Sequence, residues 1–311
     1  MKLLPDELQY IQNSLKKQNR TDARLDGKIC LITGATSGVG YQSARQLAKA
    51  GARLILLCRN TEKARNVQAE LSRDFNAEAD IFLADMTRLA EVSRAAGQIS
   101  EKYPKIDVLI NNAGVFNKRR RVTPDGNEEI FGVIHLASFV LTAALIPNLK
   151  AAAPARIIEV NSEAHRFGGL RMDDLDWSRR LFIPLQAYGA AKIAQLLTGL
   201  ELAKRLKDDG VSVYIMHPGA VRTNIGMNNN FLYRFYNRYV LGLVLRDPLV
   251  SGEAVYYLAA APELEGVTGR YYNRTIEEKP ASYVINERLQ REIWDYSEKI
   301  ARSYLGVQYG L

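Results

Sequence analysis

Short runs of apolar residues alternate along this chain with longer segments that carry apolar positions three and four residues apart. The runs have the length of buried strands, and the longer segments have the period of helices with one apolar face. Strands are predicted at residues 29–32, 52–58, 80–84, 106–110, 155–160 and 211–216. Helices are predicted after residue 38 and at about residues 61–74, 88–102, 128–149 and 185–206. This alternation predicts an α/β fold with a doubly wound parallel sheet.

No linker and no internal repeat interrupts the alternation. We therefore expect one domain over residues 26–311, preceded by an extension over residues 1–25. Thr61 is the predicted N-cap of the second helix. After Thr223 the pattern becomes irregular, which predicts a C-terminal lobe beside the substrate.

Two segments leave alternatives open. The extension contains a predicted amphipathic helix, which either packs on the protein or anchors it to a membrane surface. Its apolar face is formed by Leu8, Ile11, Gln12 and Leu15. Residues 231–245 are aromatic, basic and apolar, and either form a packed helical lobe or cover an apolar substrate.

A glycine-rich turn follows the first predicted strand, with Gly34, Gly38 and Gly40 ahead of a helix. Glycine allows a pyrophosphate to approach the backbone, and a helix N-terminus favours negative charge. The G-x-x-x-G-x-G spacing differs from the common dinucleotide fingerprint. The turn predicts an anion site, with an unliganded tight turn as the alternative.

Polar residues also follow the other predicted strands. Ligands of open α/β sheets bind at the carboxyl ends of the strands. These ends are marked by Gly34, Arg59, Asp85, Asn111, Ser162 and the pair Pro218–Gly219. Their shared placement predicts a ligand crevice along one edge of the sheet.

Charge and cysteine content narrow the function only slightly. The chain has 311 residues and a formal net charge of +8, and we expect a solvated basic surface and no nucleic-acid partner. The basic run 118–121 near the expected crevice leaves open an acidic substrate or a lipid headgroup. Cys30 and Cys58 lie in apolar runs and predict free core thiols in a reducing compartment. No apolar stretch of membrane-spanning length, no signal peptide and no metal site is predicted.

Tyr188 and Lys192 are four residues apart on a predicted helix and therefore share a face. A tyrosine has an ordinary pKa of about 10, and a neighbouring ammonium lowers it. Ser162 can donate a hydrogen bond to a substrate oxygen opposite the tyrosine. These three residues are the predicted catalytic set for proton transfer during hydride exchange.

The chain resembles the short-chain dehydrogenase/reductase family over about residues 26–300. The resemblance is carried by the segments 33–40, 111–114 and 218–223 together with Ser162, Tyr188 and Lys192. It implies a Rossmann-type fold, a nicotinamide cofactor and interconversion of alcohols and carbonyls. The resemblance also implies that Tyr188 is the general acid/base, that Lys192 binds the ribose and lowers the tyrosine pKa, and that Ser162 orients the substrate.

The resemblance also implies a set of cofactor-binding residues. In that set the glycines line the pyrophosphate, Asp85 and Asn111 meet the adenosine side, and Thr223 meets the carboxamide. The set is Gly34, Thr36, Ser37, Gly38, Val39, Gly40, Arg59, Asp85, Met86, Asn111, Ala113, Gly114, Tyr188, Lys192, Pro218, Gly219, Val221 and Thr223.

Finer features resemble the retinol-dehydrogenase-like branch. They are the segments 57–60, 125–128, 164–165, 264–271 and 289–299. One catalytic position departs from the family, because Ile134 stands where the family usually has an asparagine that holds a water linked to the lysine. Isoleucine cannot bond a water through its side chain.

Two functions are carried forward. The first is an NADP-dependent oxidoreductase for a hydrophobic alcohol and its aldehyde or ketone, with NAD as the alternative cofactor. Arg59, in place of an acidic residue after the second strand, favours NADP. The second is a catalytically weak dinucleotide-binding sensor or scaffold, which Ile134 favours. We expect a cytoplasmic protein, and leave open peripheral membrane contact and oligomerisation.

Overall fold

The computed structural model describes residue 13 and residues 16–219, 248–306 and 309–311. Its strands are β1 (Ile29–Thr33), β2 (Arg53–Cys58), β3 (Ala79–Leu83), β4 (Val108–Asn111), β5 (Ala155–Val160), β6 (Val211–His217), β7 (Arg270–Asn273) and β8 (Ile276–Glu278). They form one sheet in the order β3-β2-β1-β4-β5-β6-β7-β8. All neighbours are parallel except β7 and β8. The six predicted strands are confirmed, and the order reverses at β1 and β4, as in a doubly wound sheet.

Helices cover both faces of this sheet. They are α1 (Gly38–Lys49), α2 (Thr61–Phe75), α3 (Leu89–Lys102), α4 (Glu129–Ala151), α5 (Pro184–Arg205), α6 (Pro248–Ala260) and α7 (Glu287–Leu305). One core cluster joins α3, α4, α5 and α7 to side chains such as Leu31, and the other joins α1, α2 and α6 to Cys30 and Ile32. Neighbouring strand residues thus face opposite cores, which explains why the strands are apolar throughout.

The C-terminal part differs from the expected irregular lobe. From Pro248 onward the described residues form α6, β7, β8 and α7, and β7 extends the main sheet by pairing with β6. α6 packs closely on α1, because a Cβ atom on Gly252 would lie 2.7 Å from the Gln42 backbone. The residues 231–245, discussed above as a lobe or lid, lie outside the described residues.

Two local predictions are wrong. The N-cap of α2 is Asn60 and not Thr61, because the Asn60 side chain accepts a hydrogen bond from the Lys63 N–H group. α4 is long and apolar enough to span a membrane, contrary to the prediction that no such stretch exists. However, 94% of its apolar window is buried inside the protein, which is the environment of a core helix.

Cys30 and Cys58 are free and buried, as predicted. Burial raises the pKa of the Cys58 thiol to about 11, so it stays protonated and unreactive. Part of the N-terminal extension packs on the turn between β7 and β8, where the Asn19 N–H group donates to Thr275 Oγ1 at 2.8 Å. Asn13 Nδ2 donates to Glu278 Oε2 at 2.9 Å. Of the predicted helix around Leu8 to Leu15, the structure describes Asn13 alone.

Candidate active site

The turn between β1 and α1 is built from glycines that no other residue could replace without strain. Gly34 and Gly38 have φ angles of +70° and +57°, a region that favours glycine. A Cβ atom on Gly40 would lie 2.3 Å from Asn112 Nδ2. α1 therefore starts in close contact with the segment that follows β4.

The N-terminus of α1 is open to an anion. Ser37 precedes the helix, makes no capping hydrogen bond through its side chain, and is followed by a first turn without acidic residues. Ser37 is exposed and Thr36 is partly exposed, whereas Val39 is buried. The N–H groups of this turn can bind a phosphate, and Val39 can contribute only its backbone.

Hydrogen bonds between the ends of β1 and β4 support this turn, and they were not found from the sequence. Thr33 Oγ1 accepts hydrogen bonds from the N–H groups of Asn112 and Ala113, both at 2.9 Å. Asn112 Nδ2 returns a hydrogen bond to the Thr33 carbonyl oxygen at 2.9 Å. Thr33 and Asn112 therefore fix the two loops on either side of the crevice relative to each other.

Asn111 faces the core and not the crevice. It is fully buried, and its Nδ2 donates to Thr142 Oγ1 at 2.9 Å and to Glu159 Oε1 at 2.7 Å. This corrects its assignment to direct cofactor contact, because both donors of its amide are used inside the protein. Ala113 and Gly114 are partly exposed at the crevice.

The ends of β2 and β3 carry the next predicted residues. Arg59 is exposed directly after β2, and no ion pair holds it among the described residues. Asp85 is partly exposed, and its Oδ1 accepts from the N–H and the hydroxyl of Thr87 at 2.9 Å. Met86 is partly buried against the core. All three lie at the carboxyl edge of the sheet, as predicted.

Ser162 begins a short 3-10 turn, Glu163–Phe167, that follows β5. Its N–H group donates to Asn161 Oδ1 at 2.9 Å, and its Oγ accepts from the Ala164 N–H at 3.1 Å. The Ser162 hydroxyl is thus fixed as an acceptor for the turn and keeps its proton for a neighbour. That neighbour is Tyr188, whose pKa the Ser162 hydroxyl lowers.

The contact between this turn and α5 depends on two glycines. A Cβ atom on Gly189 would lie 2.4 Å from the Ala164 carbonyl oxygen and 2.6 Å from Gly168 Cα. Because Gly189 directly follows Tyr188, its missing side chain lets the tyrosine approach Ser162. A glycine inside a predicted helix was the available sequence signal, and only the fold shows its use.

Tyr188 is partly buried at the crevice. Its ring makes an edge contact with Phe116, with 5.7 Å between ring centroids. Burial raises the pKa of Tyr188 to about 12, and the hydrogen bond with Ser162 acts in the opposite direction. The tyrosine is therefore a proton donor at neutral pH unless a nearby positive charge lowers its pKa.

Lys192 supplies that positive charge from the next turn of α5. Its Nζ lies 5.8 Å from the Tyr188 ring centroid. The same Nζ donates to the Val160 carbonyl oxygen at 2.7 Å and to Gln195 Oε1 at 3.0 Å. Burial lowers the pKa of Lys192, and the charge of Glu159 raises it.

Ile134 is fully buried next to Gly114. It belongs to a π-helical turn of α4, Gly132–Leu136. A Cβ atom on Gly114 would lie 3.6 Å from Ile134 Cγ1, so the isoleucine side chain fills the space below the Asn111–Gly114 loop. The π turn, which often marks a functional position, is present although the asparagine is not.

The end of β6 closes the crevice. Gly219 has a φ angle of +91°, and the Pro218 carbonyl oxygen accepts a hydrogen bond from Ser251 Oγ at 2.6 Å. α6 therefore holds this turn in position. Val221 and Thr223, the remaining predicted cofactor contacts, lie outside the described residues.

The three histidines have structural contacts. His165 Nδ1 lies 2.7 Å from the Ser162 carbonyl oxygen, and its Nε2 accepts from the Ala281 N–H at 3.1 Å. His135 Nε2 lies 2.7 Å from Ser297 Oγ, and His217 Nδ1 accepts from the Glu163 N–H at 3.4 Å. Burial lowers the pKa of His165 to about 4. Among the described residues no cluster of metal-ligating side chains is present.

Together these residues fit a dinucleotide at the carboxyl edge of the sheet. The open α1 N-terminus can hold the phosphates, because Gly34 and Gly38 provide the backbone conformation and the first turn of α1 has no acidic side chain. Ser162, Tyr188 and Lys192 meet at the carboxyl end of β5, where a carbonyl oxygen between Ser162 and Tyr188 would receive hydrogen bonds from both.

Comparisons with known proteins agree with this arrangement. A family model described as short chain dehydrogenase matches residues 28–231. Retinol dehydrogenase 13 from Homo sapiens is 36% identical over 283 residues, covering 89% of this chain and 86% of that protein. Retinol dehydrogenase 14 from Homo sapiens is 35% identical over 290 residues, covering 88% of this chain and 86% of that protein.

A crystal structure of an uncharacterised protein from Mycobacterium paratuberculosis is similar in fold. Its TM-score is 0.70 at 26% identity, covering 90% of this chain and 95% of that one. The sheet order, the family model and the relatives lead to one conclusion. This chain belongs to the short-chain dehydrogenase/reductase family, in its retinol-dehydrogenase-like branch, and is an NAD(P)-dependent oxidoreductase.

Proposed function

We propose that this protein interconverts a hydrophobic alcohol and its aldehyde or ketone, with NADP as its preferred cofactor. The observation that carries the proposal is the convergence of Ser162, Tyr188 and Lys192 at the carboxyl end of β5. The bound nicotinamide cofactor supplies or accepts the hydride.

The chain's own residues manage the proton and the developing charge. In carbonyl reduction Tyr188 gives its phenolic proton to the substrate oxygen while Ser162 donates a hydrogen bond to the same oxygen. The ammonium of Lys192 stabilises the phenolate that results. In alcohol oxidation the phenolate takes the proton back.

The preference for NADP is inferred from the end of β2. An acidic residue there would bind the ribose hydroxyls of NAD and repel a 2′-phosphate. This chain has the exposed Arg59, and the Asn60 side chain is occupied in capping α2. A guanidinium at this place is suited to a phosphate.

Arg59→Asp tests this preference. The wild-type protein is expected to bind NADPH more tightly than NADH, and the variant is expected to reverse that order. Hydrogen bonds to charged groups contribute about 1.5–3 kcal/mol, so the loss of NADPH affinity should be about 10- to 100-fold. Dissociation constants from protein fluorescence measure the effect.

Arg65→Asp is the matched control, because Arg65 is also exposed but lies on α2 away from the strand end. It makes the same change in net charge and should leave the order of affinities unchanged. A wild-type protein that binds NADH more tightly would contradict the preference.

The hydrophobic character of the substrate is supported by the surface beside the catalytic residues. Exposed apolar side chains occur on the turn after Ser162, on the segment that enters α5, and before α7. They are Phe167, Leu181, Ile183, Leu185, Tyr283 and Ile285. Tyr283 Oη donates to the His165 carbonyl oxygen at 3.2 Å, which places it against the Ser162 turn.

A series of straight-chain aldehydes tests both reaction and substrate. Burial of a methylene contributes about 0.8 kcal/mol, so kcat/KM with NADPH should rise about fourfold per carbon until the apolar surface is filled. A flat series would argue against an apolar site.

Tyr188→Phe should abolish turnover and leave cofactor affinity nearly unchanged. Substantial activity in Tyr188→Phe would rule out the proton transfer described above.

The sensor or scaffold alternative is not favoured, since the catalytic residues are present and the relatives are dehydrogenases. A cytoplasmic location, peripheral membrane contact and oligomerisation remain predictions from the sequence.

A further inference from the structure

An acidic side chain is buried three residues before Ser162. Glu159 lies on β5 and is 6% exposed. Its Oε1 accepts from Asn111 Nδ2 at 2.7 Å, and its Oε2 accepts from Gln195 Nε2 at 2.8 Å. Burial of an unpaired carboxylate is strongly unfavourable, so Glu159 is either protonated or balanced by a charge nearby.

The balancing charge is reached through Gln195. Its Oε1 accepts from Lys192 Nζ at 3.0 Å and from Asn161 Nδ2 at 3.1 Å. An ammonium can only donate and a carboxylate can only accept, so the Gln195 amide has one possible orientation between them. Glu159, Gln195 and Lys192 form one continuous hydrogen-bonded chain behind the catalytic tyrosine.

The two charges support each other's ionised forms. Burial raises the pKa of Glu159, and the charge of Lys192 lowers it. Burial lowers the pKa of Lys192, and the charge of Glu159 raises it. His135 from α4 lines the same cavity as Glu159 and is neutral because burial lowers its pKa to about 3.

Polar and apolar side chains share the space beside Glu159. A cavity of about 20 Å³ is lined by Glu159 and the hydroxyls of Ser138, Thr142 and Thr198, and it has room for one water molecule. Ser138 Oγ is buried and has no hydrogen-bond partner among the described residues. A donor there, such as the Ser138 hydroxyl, would support the charged carboxylate.

We propose that Glu159 is the buried counter-ion of Lys192, a positioning residue that keeps the lysine protonated and so holds Tyr188 ready for proton transfer. The link to catalysis rests on the proposed function, whereas the link between the two charges does not. It also suits a chain in which Ile134 stands where the family resemblance implies an asparagine.

Glu159→Gln removes the charge and keeps the shape. The fold can adapt, because Asn111 Oδ1 is buried and has no partner in the part of the chain that the structure describes, so a rotated Asn111 amide could accept from the new amide. In protein without cofactor, the Lys192 side chain is titrated by NMR of ¹³Cε-labelled lysine and assigned with Lys192→Arg. The midpoint should fall by about one pH unit, because loss of a nearby opposite charge favours the neutral amine.

Glu128→Gln is the control for removing a buried carboxyl group. Glu128 is fully buried, burial raises its pKa to about 6, and its oxygens bond the start of α4. This variant should leave the Lys192 midpoint in place. An unchanged Lys192 midpoint in folded Glu159→Gln would overturn the proposal.

A reciprocal measurement serves if Glu159→Gln does not fold. Coupling between two sites is equal in both directions. Lys192→Met should therefore raise the Glu159 midpoint, followed by NMR of ¹³Cδ-labelled glutamate, by about one pH unit. A Glu159 midpoint that does not move would equally overturn the proposal.

The pH profile of alcohol oxidation links the pair to catalysis. Tyr188 must be deprotonated to accept the proton, so activity rises with pH through its pKa. Loss of the Lys192 charge raises that pKa, and Glu159→Gln should move the rise to higher pH. If the Lys192 midpoint shifts but no alcohol is oxidised, the proposed function fails and the counter-ion proposal stands. If alcohol is oxidised but the Lys192 midpoint does not move, the counter-ion proposal fails and the proposed function stands.

Discussion

At the scale of single residues, Ile134 is where this chain departs from its family. Its side chain is fully buried and fills the space below Gly114, while the π turn around it is retained. The family resemblance implies an asparagine here that links the lysine to a water. Tyr188 and Lys192 remain in place, so we expect a slow enzyme.

Ile134→Asn is predicted to raise kcat. Proton transfer by a positioned group contributes about 10²–10⁴-fold, and restoring one outer link should recover about three- to tenfold of that. The amide enters an apolar site and should lower the free energy of unfolding by about 1–3 kcal/mol. The comparison uses saturating NADPH and matched folded fractions. Unchanged turnover with an intact fold would mean that the site works without this asparagine.

Residues with a known motif could be found from the sequence, and their neighbours could not. Tyr188 and Lys192 share a helix face at a spacing that can be read directly. Glu159 is a single acidic residue in a mostly apolar strand, and its partners Gln195 and Asn111 are 36 and 48 residues away. Such contacts depend on the packing of distant elements.

At the scale of elements, the site depends on how closely α5 approaches the Ser162 turn. Six strands followed from apolar runs, because a parallel strand buried on both faces is apolar throughout. β7 and β8 have only four and three residues, which is too short for a period to show. Gly189 is visible in the sequence as a glycine inside a predicted helix, but its contact with Gly168 is not.

Gly189→Ala tests this approach. The new Cβ atom would lie 2.4 Å from the Ala164 carbonyl oxygen, so Ser162 and Tyr188 must move apart. A shift of about 1 Å at a catalytic group can lower the rate on the order of 10²-fold, and overpacking costs about 1–3 kcal/mol. Steady-state kinetics and thermal unfolding measure both effects.

Gly169→Ala is the matched control, because a Cβ atom there would come no closer than 3.6 Å to any neighbour. It should retain wild-type kcat and stability. Similar losses in both variants would show that the glycine contact is not what positions Ser162.

At the scale of the whole molecule, the C-terminal strands hold the catalytic turn. Arg166, four residues after Ser162, forms an ion pair with Glu163 and another with Glu278 of β8, the latter at 2.7 Å. The Arg166 side chain is 7% exposed and that of Glu278 is 1% exposed. The sequence predicted one domain but not this connection, since Arg166 and Glu278 are 112 residues apart.

Arg166→Met is predicted to destabilise the protein. It leaves two carboxylates buried without their shared cation, and breaking a buried pair costs about 3–5 kcal/mol. Burial raises the pKa of Glu278, so its folded form prefers the proton. The loss of unfolding free energy in Arg166→Met should therefore shrink as pH falls through that raised pKa and grow as pH rises. Urea unfolding at several pH values measures it.

Arg171→Met is the control, because Arg171 pairs with Asp173 while both side chains remain more than half exposed. It should have a much smaller effect at every pH, since exposed ion pairs contribute little. Equal losses of unfolding free energy in the two variants would contradict the idea that β8 stabilises the Ser162 turn.

The ion pair between Arg166 and Glu278 also bears on the order in which the protein can be completed during translation. The phosphate-binding turn, β1, α1 and β2 lie within residues 29–58, and a chain that folds as it is made has them early. Glu278 leaves the ribosome more than 110 residues after Arg166. A nascent chain that folds in this order forms its nucleotide turn well before its catalytic turn is anchored, and the two can act together only after Glu278 has been made.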